Sequence, residues 1–175
     1  TNNQSITISQ NQWTIKAEIG SPQWVLGMSN FSCVGDDLVG AFAKEGIWNL
    51  ALFKKNGSIQ LIDQPFSDFS GLYSDDNRLV AITSGSVISE GLFEIDLLDK
   101  SWDHTPASKL RLDPSKISIG EPFWFKGSYE KSVHAWYYPP IDSQILLPPL
   151  LVKSHSGPTG MARCGLDLEV QFWTS

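Results

Sequence analysis

"DLVGAF" at residues 37–42 and "RLVAIT" at 78–83 carry the same strand pattern twice, Leu38 corresponding to Leu79 at an offset of 41 residues. "GIWNLAL" at 46–52 and "GLFEIDL" at 91–97 follow the same rule, Ile47 corresponding to Leu92 at an offset of 45. The difference between the two offsets reads as a loop insertion. A period of ~40–45 residues with about four strands per unit is the spacing of β-propeller blades. Two copies leave a second reading open, in which two unrelated meanders share a strand-turn-strand rhythm.

Outward from this repeat, the first two-thirds of the chain continues in short apolar, β-branched and aromatic runs: "FSCVGDD", "SIQLI" and "LFEIDLL", each bounded by turn residues. Asn56-Gly57 marks a hairpin, because both residue types accept the positive φ of a type I′ turn. No 3.6-residue apolar period is convincing before Pro114. Asp36-Asp37 and Asp75-Asp76-Asn77 resemble paired carboxylates or calcium ligands, but they sit between strand runs, where Asp and Asn serve turns. Trp13, Trp24, Trp48 and Trp102 alternate with polar residues on strands and read as filling between sheets rather than as a sugar-stacking surface. His104, in the polar stretch "SWDHTPAS", has no ligand partner at metal spacing and reads as a solvated loop histidine.

Hydrophobic residues at 41% and charged residues at 18% place the chain among globular proteins. Thirteen basic against nineteen acidic residues give a net charge of -6, and no basic run exceeds Lys54-Lys55, so neither nucleic acid nor an anionic membrane is an expected partner. Cys33 and Cys164 are far apart without ligand-like spacing. They read as two buried free thiols, which favours a reducing compartment and a cytoplasmic location. No apolar run approaches the roughly 18 residues of a membrane span, and Thr1 opens no signal-peptide pattern.

A composition shift marks the last third. "TPASKLRLDPSKISIGEP" at 105–122 carries three prolines and small polar residues, as a connection between domains does, with the boundary near Asp113. Then come "PFWF", "SVHAWYYPP" and "ILLPPLLVKS", three strand candidates. The last is apolar enough to be a central parallel strand buried on both faces. Leu166, Val170 and Trp173 fall at i, i+4 and i+7, and Asp167 suits a helix N-terminus. Strand, strand, strand, tight loop and helix is how an α/β domain begins.

Residues 17–53, "PFSDFSGLYSDDNRLVAITSGS" at 65–86 and above all "VHAWYYPP", "LLPPLLVKSHSGPTG" and "LEVQFWTS" resemble the acylaminoacyl-peptidase and dipeptidyl aminopeptidase branch of the prolyl oligopeptidase family of serine peptidases. The resemblance covers nearly the whole chain. Its most specific part is "PPLLVKSHSGPT", which is similar to that family's strand followed by His-Gly-Gly-Pro. It implies a mainly β chain: the last blades of a β-propeller at 1–112, then the first strands and first helix of an α/β-hydrolase domain at 113–175. It further implies an oxyanion loop of His155, Ser156, Gly157 and Pro158, with Gly157 donating its N–H and His155 holding the loop. Ser156 stands where the family has Gly, which raises the question of whether Ser must adopt a strained left-handed backbone there.

In α/β-hydrolases the nucleophile, acid and base follow that loop in chain order. No Gly-x-Ser-x-Gly occurs in the sequence. The triad is therefore expected beyond Ser175, no catalytic residue is assigned within the chain, and no peptidase activity is expected of it alone. The parent enzyme would take short peptides or acylated peptide N-termini and needs neither cofactor nor metal. A truncated sheet exposes strand edges, so self-association is expected. The alternative is a non-catalytic β-propeller-like module that binds a peptide or protein.

Overall fold

The computed structural model describes residues 13–24, 26–142, 144, 146–157 and 159–175. Its first part is two four-stranded antiparallel meanders, each with its strands in chain order. The first contains β1 (Phe31–Val34), β2 (Asp37–Lys44), β3 (Ile47–Phe53) and β4 (Ile59–Leu61). The second contains β5 (Asp68–Asp75), β6 (Arg78–Ser84), β7 (Gly91–Asp96) and β8 (Trp102–Pro106). The repeat read from the sequence is this duplication: β2 corresponds to β6 and β3 to β7. Strand number and order in each sheet are those of a propeller blade.

The two sheets share one core. Val39, Ala41, Trp48, Leu50 and Leu52 from the first sheet meet Phe69, Leu72, Leu79, Ala81, Phe93 and Ile95 from the second. Phe66, in the link between the sheets, stacks edge-on against Phe93 at 5.1 Å and Trp102 at 5.7 Å. The other face of the first sheet buries Phe42, Ala51 and Phe53 beneath Trp13, Ile15 and Ala17. That preceding segment is pinned by paired backbone bonds between Glu18 and Ala43 and by Trp13 Nε1 donating to Lys54 O at 2.7 Å. Burial on both faces accounts for the consecutive buried residues of β2, among them Val39, Ala41, Phe42 and Ala43.

Asn56-Gly57 does lie in the hairpin between β3 and β4, but only Gly57 takes a positive φ, of 88°. Gly57 N donates to Lys54 O and Lys54 N to Ser58 O, so the connection is a type I turn followed by a glycine bulge rather than type I′. Two positive φ values occur instead at Glu45 and Gly46, between β2 and β3.

Beyond β8 the chain crosses a short 3-10 turn, Pro114–Lys116, capped by the Asp113 carboxylate. β9 (Glu121–Lys126) and β10 (Ser132–Tyr137) then form an antiparallel ribbon, and α1 (Leu168–Thr174) closes the chain. Asp167 caps α1 by accepting from Glu169 N at 2.9 Å, as its position in the sequence suggested. The helix docks through Gln171, which accepts from Ser118 N at 2.7 Å and donates to Ser118 O at 3.0 Å. The apolar stripe expected at Leu166, Val170 and Trp173 is therefore displaced: Trp173 is 60% exposed and Gln171 is buried.

The third strand candidate is corrected. "ILLPPLLVKS" forms no strand in its described residues, and Leu146, Leu147, Leu150, Leu151 and Val152 are exposed. Pro148 and Pro149 remove two backbone donors from the run, and no described strand pairs with it. Two further readings change. Cys33 is exposed and only Cys164 is buried. Trp48 is core at 2% exposure and Trp13 packs against Phe53, but Trp24 and Trp102 stay open to solvent.

Candidate functional site

The loop that follows Val152 is held at its base by Lys153. Its ammonium pairs with Glu169 at 2.7 Å and Asp167 at 3.4 Å, at the start of α1. The bond to Glu169 is the main cause of the raised Lys153 pKa, with Asp167 reinforcing it. From there the chain bends sharply. A Cβ on Gly160 would come within 2.8 Å of Ser156 O and 3.0 Å of His155 Nδ1, so only glycine lets the two legs of the loop approach this closely.

Gly157 carries the positive φ of the loop, at 71°, whereas Ser156 keeps a negative one. The left-handed residue is thus the one that is glycine, and the serine bears no such strain. His155 is exposed, and its Nδ1 lies 3.4 Å from Ser156 O. Its described contacts are within the loop. Pro158 lies outside the described residues.

Trp24 is the neighbour that the sequence did not anticipate. A Cβ on Gly157 would stand 3.3 Å from Trp24 Cη2 and 3.6 Å from Cζ2. An aromatic from the segment before β1 therefore lies beside the turn, close enough to crowd any side chain placed at Gly157. Downstream, Arg163 Nη1 pairs with Asp68, and its guanidinium lies 5.0 Å from the centroid of the Trp48 ring. Leu166 N donates to Gly85 O at 2.9 Å, and Met161 packs on the shared core. The segment after the loop is thus fastened to both sheets. Nothing in sequence spacing points to these pairs, which join residues from 81 (166 minus 85) to 115 (163 minus 48) positions apart.

The remaining candidates resolve into structure. Asp36 and Asp37 serve the β1–β2 turn and the neighbouring hairpin, Asp37 accepting from Lys55 N at 2.7 Å and pairing with Lys54 at 3.1 Å. Among the described residues no cluster of three His, Cys, Asp or Glu could hold a metal ion. His104 is not a solvated loop residue: it lies on β8, its ring 4.9 Å from Phe66 and its Nε2 buried without a partner. Burial lowers its pKa. Two surface concavities of about 280 and 350 Å3 lie on the sheets, lined by Arg78, Glu94, Asp96 and Trp102, and by Asn49, Leu61 and Asp63. Neither involves the loop.

No helix of the described residues is long and apolar enough to cross a membrane. No protein-family model and no curated protein sequence matches this chain. Solved structures do. A puromycin-hydrolysing peptidase from Mycobacterium tuberculosis superposes with a TM-score of 0.81 at 22% identity, over 93% of this chain and 26% of its own. A puromycin hydrolase superposes at 0.82, and a puromycin hydrolase mutant complexed with PGG at 0.83, with the same identity and coverage. The chain spans about a quarter of the length of these proteins, and across that quarter the fold is shared.

Proposed function

We propose that this chain is part of a serine peptidase of the prolyl oligopeptidase type. Residues 1–112 would form the end of its β-propeller, and residues 113–175 the start of its α/β-hydrolase domain. The observation that carries this reading is the fold shared with the puromycin-hydrolysing peptidases along nearly the whole chain.

On this reading His155–Pro158 form the oxyanion loop. Attack on a peptide or acyl-amino carbonyl puts negative charge on its oxygen, and a preorganised N–H aimed there is worth about 10²–10³ in rate. Gly157 supplies that N–H: its φ of 71°, which Ser156 does not share, turns the backbone at that point of the loop. Ser156, at negative φ, leaves the turn intact. Lys153, fixed to Asp167 and Glu169, sets the distance between the loop and α1. The second donor and the Ser-Asp-His triad follow in chain order. This chain then contributes the blades that cap the site and one arm of the anion cradle, with short peptides or acylated peptide N-termini as substrates.

The test uses the complete polypeptide that carries this segment. Hydrolysis of aminoacyl and acetyl-aminoacyl anilides, blocked by a serine-reactive fluorophosphonate, is expected. Absence of both turnover and labelling would overturn the assignment, as would turnover by the 175-residue chain alone.

A further inference from the structure

Trp24 lies beside the turn that the preceding reading assigns to the oxyanion, its ring edge 3.3 Å from where a Cβ on Gly157 would stand, and 63% of the residue remains exposed. Only the Cζ2–Cη2 edge of its indole is turned toward Gly157. The segment bearing it is anchored. Asn30 Nδ2 donates to Ile19 O at 3.0 Å and to Ser21 Oγ at 2.7 Å, and Glu18 is bridged to Ala43. An exposed indole on a fixed segment presents a large apolar surface at little further entropic cost, as binding hot spots do.

Geometry defines what that surface faces. A carbonyl oxygen held about 2.9 Å from Gly157 N, with C=O and C–Cα bonds of about 1.2 and 1.5 Å, keeps the acyl residue's Cα within about 6 Å of that nitrogen. A ring whose edge lies 3.3 Å from where a Gly157 Cβ would stand is then within reach of the acyl residue's side chain.

We propose that Trp24 is a substrate-contacting, specificity-determining residue: its indole walls the acyl-side pocket over Gly157 and favours a flat, apolar residue before the scissile bond. The proposal rests on the assignment of Gly157 to the oxyanion. It adds to that assignment a residue from the β-rich half.

Two measurements test it. In the complete peptidase, Trp24→Ala is expected to lower the ratio of kcat/KM for a Phe anilide over an Ala anilide roughly tenfold, with Trp24→Phe restoring most of that ratio. An equal fall on both substrates, or no fall, overturns the proposal while leaving the peptidase assignment standing; a wild-type enzyme without turnover overturns both. In the 175-residue chain, Trp24→Ala is expected to move the Gly157 amide proton resonance by removing the indole ring current. An unmoved resonance, with the remaining spectrum native, overturns the contact whatever the enzyme does.

Discussion

Arg163 stands over the ring of Trp48 and pairs with Asp68, so a single side chain from the segment after the loop bridges β3 of the first sheet and β5 of the second. Its Nη1 also donates to Phe69 O at 3.3 Å. Replacing it with Met keeps the apolar stem and removes the charge. Because Asp68 is largely buried and Arg163 only partly so, Arg163→Met should cost roughly 1–3 kcal/mol, below the full cost of breaking a buried pair. Urea unfolding measures this.

The pH dependence has a definite sign. Burial raises the Asp68 pKa above its ordinary 3.8, outweighing the attraction of Arg163, and nearby Glu90 adds to the rise. The folded state therefore binds this proton more tightly than the unfolded one. Its contribution to stability is present below the ordinary carboxylate pKa and is lost as pH rises through the raised native value. Asp68→Asn should abolish that part of the pH profile, and Arg163→Met should steepen it. A wild-type profile that rises over this range with no change in Asp68→Asn would refute the account.

Gly46 couples the first sheet to the β9–β10 ribbon. Its φ is 81°, and a Cβ would meet His134 Cε1 at 2.5 Å and Trp136 Cζ2 at 2.8 Å. Gly35 has a φ of 57°, but a Cβ there would meet nothing within 4 Å. Gly35→Ala should therefore cost about 1 kcal/mol of backbone strain, and Gly46→Ala distinctly more. Thermal unfolding of the two variants ranks them, and equal costs would show that the ribbon does not press on this turn.

What could be read from the sequence followed the range of the physical signal. Short apolar, β-branched and aromatic runs and turn chemistry act over a few residues, so β2, β3, β6 and β7 and the Asp167 cap were legible. "ILLPPLLVKS" was not, because hydropathy reports what a segment would bury and not whether a partner strand lies beside it. His104 looked solvated because Phe66, which covers it, is far away in the chain. The loop at Gly157 was visible through its motif, but Trp24 against it was not. That contact depends on how the segment before β1 is pinned by Asn30 and Ala43. Gln171 illustrates the same limit: a polar residue on a helix is buried because Ser118 offers it both a donor and an acceptor.

The cysteines should separate chemically. Cys33 is exposed, whereas Cys164 is buried, with a pKa raised chiefly by desolvation. A buried thiol with less thiolate reacts more slowly. Brief alkylation of the native chain should add one label, at Cys33, and alkylation in denaturant two. Equal labelling of both in the native state would mean that the contact between Cys164 and Ser67 opens readily.

The 175-residue chain should self-associate. Leu146, Leu147, Leu150, Leu151 and Val152 are exposed in a row, with Phe172 and Trp173 also open on α1. Exposed apolar runs and unpaired strand edges are sites of association. Sedimentation velocity should show a concentration-dependent increase in mass, and salt should not reverse it, since the surface is apolar. A monomer across the micromolar range would refute this.

Ser156 and Gly157 divide the demands of the loop between them. Gly157 holds the positive φ and Ser156 does not, so Ser156→Gly relieves no strain. By loosening the unfolded chain it should leave stability unchanged or lower it by up to about 1 kcal/mol. Gly157→Ala must hold a side chain at positive φ and bring its Cβ to 3.3 Å from Trp24, which should cost about 1–2 kcal/mol. On the proposed role of Gly157 as oxyanion donor, the same change in the complete polypeptide should lower kcat more than it raises KM, since such a donor acts on the transition state. Pairing Gly157→Ala with Trp24→Ala removes the neighbouring ring and should recover only the part of the stability lost to crowding, the strain of positive φ remaining, without recovering kcat. Recovery of both would assign the loss to crowding by the indole, not to displacement of the amide.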